Sequence, residues 1–209
     1  MTHPSTNTHA TLHLISGVFL ALLVLLPSST ISAQNKAAEA AYEGAAGLVQ
    51  LQLWDKAAKG YLEYFEKFPK HEMAGHAHHG LGLCHFNLKD YTAAARELKA
   101  AANSRGRSQP NPVEVNLLLG QALMKKEPAD FGDAEEAFEA SLKSLGFAKS
   151  GIISRSWDEQ NVKKWLGNTK DAARKRVAAD VFLGLLEATY FKGDWKSVLK
   201  KAAAFEALI

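Results

Sequence analysis

One spacing recurs four times along this chain of 209 residues, and it constrains the fold more than any other feature. An aromatic residue stands three positions before a small one: Trp54 and Ala57, Tyr91 and Ala94, Phe131 and Ala134, Trp195 and Val198. Upstream of each pair lies a second unit. It reads Ala41-x2-Gly44-Ala45-x2-Leu48, His78-x2-Leu81-Gly82-x2-His85, Asn116-x2-Leu119-Gly120-x2-Leu123 and Phe182-x2-Leu185-Leu186-x2-Thr189. Offsets of three and four residues place side chains on one helix face, so each recurrence predicts two helices joined by a short turn. Small residues let two helices approach closely, and the aromatics fill the space between them. No stretch alternates apolar and polar residues over six positions and closes on a hairpin turn, and Gly and Pro gather between the periodic segments. The chain is therefore expected to be all-helical.

The two units together resemble the tetratricopeptide repeat, W-x2-L-G-x2-Y, then A-x3-F, then P, over about 34 residues. The resemblance implies a tetratricopeptide-like α-α solenoid, a right-handed superhelix of about four helix pairs, and a binding scaffold rather than an enzyme. Repeats are expected over residues 38–69, 75–103, 112–145 and 178–209. Phe68-Pro69 closes the first, because proline cannot extend the helix. In the second, Lys89-Asp90 makes the turn and Tyr91 to Ala102 the second helix. Pro112 suits the first turn of a helix in the third, whose internal turn, Lys125 to Gly132, is longer than the consensus. In the fourth, Lys192-Gly193-Asp194-Trp195 matches the turn and the head of the second helix.

The period then locates an insertion. Ala57 to Ala94 spans 37 residues and Ala94 to Ala134 spans 40, but Ala134 to Val198 spans 64. The surplus lies over residues 146–168. Within it, Ser156-Trp157-Asp158-Glu159 reads as a capping box opening a short helix that stops at Gly167-Asn168. Trp157 and Trp165, eight residues apart on one face, are expected to pack onto the solenoid. Repeat arrays end in a helix with a polar outer face. Phe205 to Ile209 offers none, which leaves further repeats, a partner or self-association through a second copy to cover that end.

Residues 1–33 contain no Lys, Arg, Asp or Glu, and Leu12 to Leu26 is an apolar run of 15 residues closed by Pro27. A spanning helix needs about 20 apolar residues, so the run fits a secretory signal better than a membrane span. Small residues up to Ala33 supply a cleavage site before Gln34. The expected product is an exported, periplasmic or cell-envelope domain of residues 34–209; an uncleaved segment would instead make membrane contact. Cys84, the single cysteine, excludes an intrachain disulfide and is expected to be a buried, inert thiol.

In the repeat family the first helix of each pair lines the concave groove. The resemblance places the groove at Tyr42, Ala46, Val49 and Gln50, then at His76, His79, Leu83, Phe86 and Asn87. It continues at Glu114, Leu117, Gln121, Met124 and Lys125, then at Asp180, Leu183, Glu187 and Tyr190. That mixture suits an extended peptide or an amphipathic helix of a protein partner. The Lys and Asn clamp of the chaperone-binding members is absent. Tyr61-x2-Tyr64-x3-Phe68-Pro69-x-His71, with Ala77 and Leu81-Gly82, also resembles bacterial periplasmic repeat proteins.

Five histidines lie between His71 and His85. His71 and His76 are five apart, whereas a zinc-protease helix needs two His at i and i+4. His78 and His85 fall on packing positions. No metal site, catalytic residue or cofactor is expected, and no phosphate-binding or nucleophile motif is present. Charge is uneven: residues 143–176 hold nine Lys or Arg against three Asp or Glu. Arg155, Lys163, Lys164, Arg174, Lys175 and Arg176 make this basic insertion and its flank a second candidate contact, for an anionic partner or lipid surface rather than nucleic acid.

Overall fold

The computed structural model describes residues 28–105, 109–147 and 159–206. These form nine helices and no strand: α1 Ser28–Gln50, α2 Trp54–Lys67, α3 Ala74–Asn87, α4 Tyr91–Ala102, α5 Pro112–Lys125, α6 Phe131–Ser144, α7 Glu159–Asn168, α8 Ala172–Phe191 and α9 Trp195–Glu206. The chain is thus all-α over the described residues. By its contacts it divides at Ala37 and Ala38. Of the first unit, residues 28–37 are described and form the opening turns of α1. Residues 1–27, with the apolar run, lie outside the described residues, as do Arg155 and Trp157.

The starts of α4, α5, α6, α8 and α9 follow one local device, which α2 and α3 lack. A short acceptor side chain precedes the first turn and takes one of its unpaired N–H groups. Asp90 accepts from Ala93 N–H at 3.0 Å, Asn111 from Val113 at 3.0 Å, Asp130 from Asp133 at 3.1 Å and Asp194 from Ser197 at 3.1 Å. Three of the turns between paired helices share one geometry. Gln52, Lys89 and Gly193 adopt positive φ of 57°, 65° and 85° in the turns α1–α2, α3–α4 and α8–α9. Each turn closes with a bond from the next N–H back to a carbonyl in the last turn of the helix, as in Asp90 N–H to His85 O at 2.9 Å.

The helices α3 and α4, α5 and α6, and α8 and α9 pair as hairpins, and α1 meets α2 where Gly60 lies against Ala45 and Tyr42 against Tyr61. Each hairpin packs on the next in chain order, α2 on α3, α4 on α5 and α6 on α8. Ala57, Ala94 and Ala134 are fully buried, as the recurring small position requires. The residue four positions later, Tyr61, Leu98 or Phe138, is the knob of the second helix in the first three hairpins. A Cβ at Gly82 would lie 2.7 Å from Leu98, and one at Gly120 would lie 2.7 Å from Phe138. Two of the knobs reach the following hairpin: Tyr61 lies against Gly80 and Phe138 against Gly184. Tyr61, Tyr64, Leu81 and Cys84 centre one apolar cluster, and Leu98, Phe138, Phe182 and Leu185 centre the other. Burial pushes the Cys84 thiol up to about 11, which keeps it protonated at neutral pH.

Three expectations are revised. The first helix begins ten residues before Ala38, at Ser28. The first helix of the fourth hairpin begins at Ala172 rather than near Ala178, because Asp171 accepts from Ala173 N–H at 2.9 Å and Arg174 N–H at 3.2 Å. Arg174, Lys175 and Arg176 therefore belong to α8 rather than to the insertion. His78 and His85 are half-buried instead of core: their side chains are 30% and 18% exposed. His78 stacks on Phe65 at 4.3 Å and bonds the buried Glu97 at 2.9 Å. That bond, ahead of the opposing effect of burial, holds the Glu97 carboxyl below its usual range, and Arg96 adds to it.

Candidate functional site

The first helices of successive hairpins, α1, α3, α5 and α8, carry a run of side chains that meet from one helix to the next. Tyr42 of α1 sets its ring edge-on to His76 of α3, centroids 6.3 Å apart. Tyr42 also meets the Tyr61 ring at 6.1 Å, and Val49 packs half-buried on the same cluster. Burial lowers the pKa of His76 and of His79, and the Glu114 carboxylate of α5 opposes it at His79. Both imidazoles are therefore neutral at pH 7 and offer hydrogen-bond donors and acceptors rather than charge.

Further along, Phe86 of α3 packs edge-on to Tyr91 at 5.4 Å. The Lys125 ammonium of α5 lies 5.9 Å from the Phe86 ring centre and 5.6 Å from that of Tyr91, within cation–π range. Between α5 and α8 the surface opens into a recess of about 180 Å³, lined by Gln121, Met124, Lys125, Phe138, Asp180, Leu183, Gly184 and Glu187. Of the residues chosen from sequence, Gln121, Met124 and Glu187 meet here, while Tyr42, His76, His79 and Phe86 form the α1–α3 and α3–α5 stretch. Tyr190 stands at the far end, edge-on to Trp195 at 4.7 Å and to Phe191 at 5.3 Å.

Sequence reasoning did not anticipate the floor of the recess. Phe138 belongs to a second helix, and its ring reaches this surface because Gly120 and Gly184 both lack a Cβ where the ring lies. The signal that could have revealed it is the coincidence of two glycines on facing helices with one aromatic between them in the repeat register.

The basic flank is divided by the structure. Lys164 on α7 and Arg176 on α8 are exposed, with Lys163 also at the surface. Arg174 is instead committed: its guanidinium donates to the Leu145 carbonyl at 2.9 Å, and its centre lies 5.9 Å from the Trp165 ring. Trp165 Nε1–H donates to that same carbonyl at 2.9 Å and stacks on Phe147 at 4.3 Å. Two side chains from the insertion and its flank thus seal the carbonyl at the end of α6.

A second recess of about 190 Å³ lies over α4, α5 and α6 and is lined in part by Lys99, Asn103, Asn116, Asp133 and Glu136. Its Lys99 and Asp133 are already paired at 3.0 Å. Among the described residues no group of three His, Cys, Asp or Glu side chains is arranged to hold a metal ion, and no helix is long and apolar enough to cross a membrane. Neither a protein-family model nor any curated protein sequence matches the chain.

Proposed function

We propose that this chain is a non-enzymatic protein-binding scaffold of the cell envelope, a tetratricopeptide-like solenoid of four helix pairs. It docks a peptide or helix along the row of first-helix side chains from Tyr42 to Glu187. The observation that carries this is the continuity of the row: residues chosen by their place in the repeat meet across each successive pair of first helices. The repeat assignment draws support from equivalent contacts in different hairpins, namely the knobs Leu98 and Phe138 on Gly82 and Gly120, and the shared turn geometry at Gln52, Lys89 and Gly193. The envelope assignment rests on the sequence of residues 1–33.

The row mixes apolar surface with neutral donors and a few charges, a composition suited to a polypeptide rather than a small metabolite. In the test, the full chain and a Leu183→Arg, Glu114→Arg variant are immobilised beside each other and exposed to envelope extract. Both substituted residues are exposed, so the variant is expected to keep its helical circular dichroism. A protein retained by the original chain and lost by the variant is the expected result. Retention of the same proteins by both would remove the row as the working surface.

One observation favours a second reading, self-association at the C-terminal hairpin. Phe191 at the end of α8 is 58% exposed, and Trp195 and Leu199, one turn apart on α9, are 57% and 75% exposed. Exposed apolar surface marks association sites when it gathers into a patch. On this reading Leu199→Glu converts a concentration-dependent oligomer into a monomer in sedimentation velocity. A chain that is monomeric at every concentration before substitution removes it.

A further inference from the structure

The recess between α5 and α8 has a chemical character that names what enters it. Its floor and one wall are apolar: Met124 and Leu183 line it, and the buried Phe138 ring backs it where it packs against Gly184. A space of about 180 Å³ corresponds to roughly six water molecules, room for one long side chain. Met is the most adaptable apolar wall a protein can offer to such a guest.

The rim is acidic and uncompensated. Asp180 and Glu187 stand seven residues apart on α8, about 10 Å along the axis, and are exposed at the mouth. Neither has a hydrogen bond or ion-pair partner among the described residues. The one cation in the lining, Lys125, is held toward the Phe86 and Tyr91 rings. The second recess makes the contrast, since its Lys99 and Asp133 satisfy each other.

We propose that this recess receives a lysine or arginine side chain of the bound polypeptide. The methylene stem lies on Met124 and Leu183, and the cation is held by the Asp180 or Glu187 carboxylate while the other adds to the field. A long side chain with an apolar stem and a charged head matches both halves of the lining at once. An apolar guest would leave both carboxylates without a partner, and an acidic guest would be repelled. The proposal rests on the row of first helices being a peptide-binding surface.

The test uses the full chain as target for a random-peptide display library at physiological salt. Enriched peptides are expected to share one Lys or Arg next to apolar residues. A synthetic peptide of that sequence should lose about 10-fold in affinity when the basic residue becomes norleucine, the scale of one charge-assisted hydrogen bond. Asp180→Asn with Glu187→Gln should produce the same loss, and combining the two changes should add little. Glu63→Gln with Glu66→Gln, which removes the same charge from the exposed face of α2, should leave affinity unchanged.

Peptides that bind the Asp180→Asn, Glu187→Gln variant as well as the original would overturn the assignment of the recess. If Leu183→Arg still abolished their binding, the row itself would stand. An equal loss on the α2 variant would reduce the effect to net charge and also overturn it. Failure to enrich any peptide would count against the row as a binding surface, and the inference would fall with it.

Discussion

Phe138→Ala is expected to cost about 3–5 kcal/mol of folding stability, read as a large fall in the denaturant midpoint at unchanged slope. The side chain is 1% exposed and belongs to the larger apolar cluster. It packs simultaneously against Gly120 of its own hairpin and Gly184 of the next. Two glycine backbones cannot collapse into the vacated space as flexible side chains would, so most of the cavity term should persist. The converse change, Gly184→Ala, introduces a Cβ 2.5 Å from the ring and is expected to cost about 1–3 kcal/mol by overpacking. The two substitutions share one contact and should not add: in the Phe138→Ala background the Gly184→Ala penalty should vanish or reverse. A loss below about 1 kcal/mol for Phe138→Ala, or strict additivity of the pair, would mean that the ring does not join the third and fourth hairpins.

The second large effect is expected at Glu135. Its side chain is 12% exposed and accepts hydrogen bonds from Lys192 Nζ at 2.6 Å and from Lys201 Nζ, with the Thr189 hydroxyl 3.1 Å away. Lys201 is only 7% exposed, and beyond Glu135 its ammonium has Thr189 Oγ1 at 2.9 Å and Glu139 at 3.8 Å. Glu135→Ala removes the carboxylate that compensates a nearly buried cation. The expected cost is about 3–5 kcal/mol, with early loss of hydrogen-exchange protection in α9. Lys201→Met, which removes the cation and keeps an apolar stem, should cost much less. An equal cost for both would show that packing, not charge, holds α9.

The same group gives a pH signature. Burial alone would raise the Glu135 pKa, but hydrogen bonds from Lys192 and Lys201 outweigh it and leave the value lowered. A lowered carboxyl contributes stability that is present above its unfolded value, about 4.3, and lost as pH falls through the folded value. Glu139 behaves oppositely, since burial raises it and Lys201 offsets only part of the rise. Glu135→Gln should therefore flatten the loss of stability below about pH 4 relative to the unsubstituted chain.

Much of the helical layout was legible. The heads of second helices at Tyr91, Phe131 and Trp195 and the proline start at Pro112 fall where the repeat pattern and local chemistry place them. Those boundaries are local matters: a capping carboxylate or amide, a proline, and an aromatic three residues before a small position. The start of α1 at Ser28 was missed because a run of small, uncharged residues reads equally well as a cleavage site and as a helix. The start of α8 was missed because its first turn is charged and lies outside the apolar period, while the capping role of Asp171 went unread.

The candidate site divides in the same way. Periodicity selected the first-helix positions, but it could not tell which of them converge. That depends on how closely neighbouring helices approach, and the approach is set by glycines opposite large knobs. It also could not assign Arg174, which looked like part of a solvated basic flank and instead seals the Leu145 carbonyl with Trp165.

By itself the sequence determined the all-helical character and the heads of the second helices, because those follow from spacing of three and four residues and from capping chemistry within a few residues. Only the tertiary structure decided that α6 meets α8 across the insertion, and that Lys201 finds Glu135 across 66 residues of chain. It alone gathered Phe138, Asp180 and Glu187 around one recess. Contacts of that kind depend on the distance and rotation between helices, which no periodic pattern encodes, and they make a surface out of what the repeat supplies only as a row of positions.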